Sequence, residues 1–320
     1  MPVRWGIVSA GKICHDFVQS FMDAADKQDN EVVAVAARDQ SRAQQFADEF
    51  KLKKAYGSYE EMARDPEIDV AYLGNLHQFH LSVGKLFLDH GKHLLVEKPL
   101  TMTHDESKQL LDYAKSKNRF VMEAVWSRFF PAMDFLRETL TSGAIGEPKL
   151  VTVHFGFNFD REDVKDFAQS AQHFLAVYVL HFPLMVYEGE PEQVHTTTSK
   201  NKHGVVNSVA YTLKYKEGMA QLYLSVEVAT DSQMLIYGTK GKIEIPENHW
   251  TPETVIVNGV KHEFPIPGYK NKDDRYNYPR CFGLFHEVPP VADCVRKGLL
   301  EHPLMSHRDT LLMAKINDQL

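Results

Sequence analysis

Three short stretches hold side chains whose types and spacing could do chemistry. The first is Ser9-Ala10-Gly11-Lys12-Ile13-Cys14, which follows the apolar run "VRWGIVSA" and leads into Phe17, Val18, Phe21 and Met22 at helical spacing. A buried strand that turns through glycine into a helix offers free N–H groups and a positive dipole end, a seat for a pyrophosphate. Only the central glycine of a G-x-G-x-x-G pattern is present, with Ser9 and Cys14 in the outer slots. The same turn therefore also reads as a plain strand–helix connection.

The second stretch is Ala37-Arg38-Asp39-Gln40-Ser41-Arg42, after the apolar run "EVVAVAA". Arg38, Ser41 and Arg42 can surround the 2′-phosphate of NADP with two cations and a hydroxyl. Asp39 could instead hold the ribose of NAD, or the stretch could be a solvated helix start. The balance of charge favours NADP. The third is "HLLVEKPL", where Lys98 stands between Glu97 and Pro99 at the end of a strand expected to be buried. Strand carboxyl ends are where ligands sit in parallel sheets, and a Lys–Pro bond can be cis. A strand-end lysine also reads as an ordinary surface charge.

The elements that must position these residues alternate through the first 125 residues. "VRWGIVSA", "EVVAVAAR", "VAYLGN" and "HLLVEKP" read as strands, separated by helical stretches such as "SRAQQFADEF", which Ser41 could cap, and "HLSVGKLFLDHG", closed by Gly91. Such a rhythm gives a parallel sheet with right-handed crossovers and helices on both faces. From about residue 147 the rhythm changes. "PKLVTVHFGFNF" alternates, "NSVAYTLKY" and "MAQLYLSVEV" flank a turn at Lys216-Glu217-Gly218, and Gly238 and Gly241 mark another turn. Val209, Tyr211, Leu213 and Tyr215 repeat every second residue, as one face of an antiparallel sheet should. The expected fold class is α/β: an N-terminal doubly wound parallel sheet, then an α+β domain with an open, mainly antiparallel sheet.

With 320 residues, 43% hydrophobic and 25% charged, the chain should form two soluble globular domains. A net charge of -7 gives no general attraction to nucleic acid or acidic lipid, and no apolar stretch is long enough to span a membrane. Cys14, Cys281 and Cys294 form no C-x-x-C pair, which suits a reducing compartment. The start "MPVRWGIVSAG" reads as a strand and not as a leader, so a cytoplasmic location is expected. His77 and His80 of "GNLHQFH" have no convincing third ligand or signature spacing, so no metal is expected.

Several runs in order, "RWGIVSAGKI", "VVAVAARDQSRAQQFA", "KAYGSYEEMARDPEIDVAYLGN", "EKPL", "MEAVWSRFFPA" and "VRKGL", resemble the Gfo/Idh/MocA oxidoreductase family. Within it they are most similar to the dimeric dihydrodiol dehydrogenase branch, which also oxidises D-xylose with NADP. The resemblance runs through the whole first domain in register and more thinly through the second. It implies an NADP-binding Rossmann domain over residues 1–125 and a substrate-binding and dimerisation domain over 126–320. A homodimer acting on a small alcohol or aldehyde follows from it.

The resemblance also assigns residues. The lysine of the family's EKP motif falls on Lys98, and the branch's catalytic tyrosine, from a segment like "GGALLDLGIYCVQF", falls on Tyr178 of "QSAQHFLAVYVLHF". Read alone, that stretch is a buried helix with one more core aromatic. "MEAVWSRFF" places Trp126, Arg128 and Phe129 near the substrate, and the family's N-x-x-H pattern near the nicotinamide puts Asn75, His77 and His80 with the cofactor residues. Ser9, Gly11, Lys12, Ile13, Arg38, Ser41, Arg42, Glu97 and Lys98 complete that set. In this scheme the tyrosine takes the alcohol proton as hydride leaves for the nicotinamide, and the lysine cation favours its phenolate. The pattern is altered around Tyr178, where Gln169 and Ser170 replace two glycines and Phe174 replaces an aspartate one turn before the tyrosine. Phe174 makes the pocket more apolar, and His181, three residues beyond Tyr178, can reach the same face. These changes also suit an NADP-binding sensor, regulatory or structural homologue without turnover.

Overall fold

A computed structural model of the chain describes residues 1–159, 163–266 and 274–320, and divides it into two compact units. The first unit comprises Met1–Trp126 with the described residues of Pro267–Thr310. Its elements in order are β1 (Val3–Val8), α1 (Lys12–Asp23), β2 (Asn30–Ala36), α2 (Gln40–Phe50), β3 (Lys54–Tyr56), α3 (Tyr59–Ala63), β4 (Val70–Leu73), α4 (His80–Asp89), β5 (His93–Val96), α5 (His104–Ser116) and β6 (Val121–Glu123). The six strands are parallel in the order β3-β2-β1-β4-β5-β6. This is the doubly wound arrangement, whose direction reverses between β1 and β4, so ligands are expected beyond the carboxyl ends of those two strands.

Ile7, Val8, Ala34–Ala36, Tyr72, Leu73 and Leu94–Val96 are fully buried, the continuous apolar runs that a sheet covered on both faces needs. Two sequence expectations change. The short strand β3 was not anticipated, being three half-buried residues with no periodicity to betray it. Ser41 does not cap α2: the helix starts at Gln40 and Asp39 is the cap, its carboxylate accepting from the Ser41 and Arg42 N–H groups. Such a cap is worth about 1 kcal/mol.

The second unit, Ser127–Ile266 with Leu311–Leu320, holds an eight-stranded sheet. Its elements are α6 (Pro131–Thr141), β7 (Pro148–Gly156), α7 (Ala171–Val186), β8 (Gln193–Lys200), β9 (Val206–Lys214), β10 (Met219–Ser225), β11 (Met234–Gly238), β12 (Lys242–Ile245), β13 (Thr254–Val257) and β14 (Val260–Glu263). The chain ends with α8 (Val288–Arg296) and α9 (His307–Asn317). The sheet order is β14-β13-β12-β11-β7-β10-β9-β8, antiparallel throughout except for the parallel pair β7 and β10.

Val209, Tyr211, Leu213 and Tyr215 are all buried, as their alternation predicts. Helix α7 lies on this face, against β7, β9 and β10. It is apolar on all sides, and 12 of its residues are buried, which marks a core helix and not an amphipathic surface one.

Candidate active site

Beyond β1, the turn expected to cradle a pyrophosphate does lead into α1. Ser9 has φ 95°, a left-handed conformation that glycine adopts freely and serine adopts at a cost. The residue in the first glycine slot thus keeps the glycine conformation without the glycine. Gly11 is the N-cap of α1, Lys12 is exposed, Ile13 is half-buried and Cys14 is fully buried. Gly74, just past β4, allows the close approach: a Cβ there would lie 2.4 Å from the Cys14 Sγ. The sequence reading did not single out Gly74, although its place at the end of a strand was the available signal.

Arg38 and Arg42 are exposed at the end of β2. Arg42 Nη2 donates to the Ala10 carbonyl at 3.4 Å, so the second stretch reaches the first. Asp39 Oδ1 accepts from the Ser41 N–H at 2.7 Å, the Ser41 hydroxyl at 2.6 Å and the Arg42 N–H at 3.2 Å. These bonds hold the Asp39 carboxyl below its usual range. The helix N-terminus already occupies this oxygen.

At the ends of β4 and β5 the polar groups are buried and tied together. The Tyr72 hydroxyl donates to Glu97 Oε1 at 2.6 Å, and the Lys98 N–H donates to Glu97 Oε2 at 3.2 Å. The Lys98–Pro99 bond is cis. Beyond it, the Leu100 N–H donates to Glu123 Oε1 at 3.0 Å. Burial pushes the half-buried Lys98 ammonium below its ordinary range, while Glu97 and Glu123 act against that shift. Burial raises the Glu97 carboxyl, opposed by Lys98 and the Tyr72 hydroxyl.

His80 is fully buried, with Nε2 3.0 Å from the Asn75 carbonyl and Nδ1 3.1 Å from the Leu100 carbonyl. Its ring braces the turn after β4 against the loop that carries Lys98. His77 is half-buried, with its ring 6.4 Å from that of His80. Asn75 donates its amide to the Leu76 carbonyl at 3.2 Å. Trp126, also in the first unit, is buried.

A buried clamp along α1 escaped the sequence reading. The fully buried Asp16 accepts from the N–H groups of Asn277 and Tyr278, both at 2.8 Å, and from Asn277 Nδ2 at 2.9 Å. The Ser20 hydroxyl donates to the Phe282 carbonyl and accepts from the Phe285 N–H, each at 2.8 Å. These partners lie more than 250 residues apart, a separation no local pattern reports.

In the second unit, Tyr178 and Phe174 share α7, with Tyr178 7% exposed and Phe174 37% exposed. Phe155 sits at the centre of a ring cluster, 5.3 Å from Tyr178, 5.0 Å from His249 and 4.8 Å from Trp250. Phe157 lies 5.6 Å from Trp250. The Phe155-x-Phe157 alternation was legible as one strand face, whereas His249 and Trp250 lie in a loop without periodicity. Phe129 is buried, and the buried Arg128 donates to the His181 carbonyl at 3.2 Å, fixing it to α7. The His181 ring is fully buried, with no hydrogen-bond partner on either nitrogen among the described residues. Burial holds it well below the usual imidazole range, and the Arg128 charge adds to that. The His249 ring approaches the His154 backbone without reaching hydrogen-bond geometry, and burial lowers it to about 3.

The first unit can thus bind a dinucleotide and present an ammonium at a strand end, and the second presents a phenol in an aromatic wall. Among the described residues, no group of three or more His, Cys, Asp or Glu is arranged to hold a metal ion, and no helix is long and apolar enough to cross a membrane.

Residues 3–125 match the description "Oxidoreductase family, NAD-binding Rossmann fold", and residues 133–244 match the Gfo/Idh/MocA C-terminal domain. Among curated proteins, the chain is 40% identical to trans-1,2-dihydrobenzene-1,2-diol dehydrogenase of Danio rerio, covering 100% of this chain and 96% of that protein. It is 36% identical to the protein of the same name from Homo sapiens, with the same coverage. Among solved structures, a 3-ketoreductase from Actinomadura kijaniata in complex with NADP shares the fold at TM-score 0.82 and 21% identity, covering 100% of this chain and 97% of that one. A levoglucosan dehydrogenase in complex with NADH and levoglucosan does so at TM-score 0.84 and 17% identity, covering 99% and 96%.

Proposed function

The chain belongs to the Gfo/Idh/MocA oxidoreductase family, and from that membership we propose that it is an NADP-dependent dehydrogenase of a cyclic diol, a sugar such as D-xylose, or a related small alcohol. The observation that carries this reading is the end-to-end identity of 36–40% with trans-1,2-dihydrobenzene-1,2-diol dehydrogenases. The residues present fit a dinucleotide: the strand order switches at β1 and β4, α1 opens at Gly11, and Gly74 lets the two strand ends come close. NADP as the particular cofactor is supported by the exposed Arg38 and Arg42 and by the engagement of Asp39 in its own helix cap.

The bound nicotinamide supplies the hydride chemistry. In this reading Tyr178 takes the alcohol proton during oxidation and returns it during reduction. Lys98 hydrogen-bonds the reacting oxygen and favours the tyrosine's ionised form. Ser9, Gly11, Lys12 and Ile13 hold the pyrophosphate, and Ser41 joins Arg38 and Arg42 at the 2′-phosphate. Asn75, His77, His80 and Glu97 shape the nicotinamide end. Trp126, Arg128, Phe129, Phe174 and His181 shape the substrate end, where Phe174 in place of an aspartate favours a more apolar alcohol.

The second domain is the substrate and dimerisation domain in this reading. Opposite α7, its sheet presents His154, Ala210, Met219, Gln221 and Tyr237 to solvent, a broad surface of mixed polarity that suits a second copy. Three free buried thiols, Cys14, Cys281 and Cys294, suit the cytoplasm.

Fluorescence titration with NADPH and NADH, followed by NADP+ reduction assays on D-xylose and an aromatic trans-dihydrodiol, tests the proposal. Tighter binding of NADPH and turnover of one of these alcohols are expected. Preference for NADH would overturn the role given to Arg38. Sedimentation of the purified chain as a monomer would overturn the dimer.

A further inference from the structure

Four carboxyl groups and one ammonium are buried or half-buried around the strand ends of the first unit, and the donors on them are unequal. Asp16 accepts three hydrogen bonds from Asn277 and Tyr278, Glu97 accepts from the Tyr72 hydroxyl and the Lys98 N–H, and Glu123 accepts from the Leu100 N–H. Glu287 is 0% exposed, and neither of its oxygens has a hydrogen-bond donor among the described residues. It closes the short 3₁₀ segment Cys281–Glu287, which the Ser20 bonds and the Phe21–Phe285 ring contact, 5.5 Å between centroids, hold against α1. Tyr72, which bonds Glu97, stacks on Phe17 of the same helix at 3.8 Å.

A carboxylate taken out of water without donors costs far more than a protonated one, so such a group keeps its proton. Two carboxyls within each other's field in a dry interior do not both ionise. The groups that set the balance are Asp16 and Cys14 on α1, Tyr72 on β4, Glu97 and Lys98 after β5, Glu123 on β6 and Cys281 on the segment itself. We propose that Glu287 carries a proton in the resting protein, so that the negative charge acting on Lys98 is carried by Glu97 and Glu123 and not by Glu287. Burial and the field of Glu97 both act to keep the proton on Glu287. Glu97 and Glu123 then act on the ammonium, and Glu287 adds no third charge. The inference rests on the dehydrogenase reading for the purpose of Lys98, not for the proton on Glu287.

Infrared spectroscopy of the full-length chain at neutral pH, without substrate, tests it directly. The C=O stretch of a protonated carboxylic acid is expected in the wild type, lost in Glu287→Gln and retained in Glu97→Gln. A neutral-pH spectrum without that band, or a band lost in Glu97→Gln, would overturn the proposal, and the second variant decides even where Glu287→Gln does not fold. The pH dependence of Lys98 acylation by an amine reagent gives the second readout. Its midpoint should fall in Glu97→Gln, which loses the anion, and stay in place in Glu287→Gln. An equal shift in both variants would show that Glu287 is ionised. Neither readout needs turnover, so failure of the dehydrogenase reading is separately visible.

Discussion

In the first unit the buried carboxyls of Asp16 and Glu97 lie with donors on their oxygens, whereas in the second the buried rings of His181 and His249 lie with none. The two regions bury polar groups for different ends. Donors let a carboxylate stay charged inside the protein, and that charge can act on a neighbouring ammonium such as Lys98. Rings without partners stay neutral and serve as shape, lining the aromatic wall in which Tyr178 stands. The strand ends of the first unit are an electrostatic device, and the floor beneath α7 is a packing device with one phenol in it.

Breaking the electrostatic side should have the largest effect. Lys98→Met is expected to lower kcat for NADP+ reduction by roughly a thousandfold, with NADPH affinity changed little, because it removes the cation proposed to act at the reacting oxygen. Steady-state kinetics with fluorescence titration separates the two quantities. On the other side, Tyr178→Phe removes one hydroxyl and keeps the ring against Phe155, so kcat should fall by about a hundredfold while the melting temperature barely moves. Unchanged turnover in this variant would reduce Tyr178 to a packing role.

The unpartnered rings should make the second unit acid-sensitive. A histidine whose folded pKa is depressed contributes its full stability above the unfolded value, about 6.5, and loses it as pH falls toward the folded value, about 3 for His249. Each ring then costs about 1.4 kcal/mol per pH unit below 6.5. Denaturant melts at pH 7.5 and 5.5 should show this loss, and His249→Leu should reduce the slope.

The smallest effect belongs to the exposed rim. Arg38→Ala is expected to weaken NADPH binding about tenfold, the scale of one charge-assisted hydrogen bond, and to leave NADH binding unchanged.

The two regions also differ in how much of them the sequence discloses. The parallel sheet announces itself through apolar runs, and the residues at strand ends, Gly11, Arg38 and Lys98, are visible because a strand followed by a turn is a local pattern. The alternation at Val209, Tyr211, Leu213 and Tyr215 marks the buried face of the second sheet just as directly. Partners brought together from afar leave no such trace. Asp16 and Asn277, Tyr72 and Glu97, and Phe155 and His249 meet only in three dimensions. Serine suits the cap of α2, which points to Ser41, but Asp39, two residues earlier, suits it too and is the one that forms the bonds. Glu287 gave no signal at all, since an isolated glutamate before Val288-Pro289-Pro290 reads as a surface residue, and only its complete burial distinguishes it.

The central proposal is that Lys98 and Tyr178 both serve hydride transfer with NADP. The direct test is a single-turnover experiment in which the NADP+-loaded full-length chain is mixed with D-xylose or an aromatic trans-dihydrodiol while NADPH formation is followed. The account predicts NADPH formation in the wild type and its slowing in both Lys98→Met and Tyr178→Phe. Firm NADP+ binding with no NADPH formed from either alcohol, or undiminished rates in both variants, would contradict it.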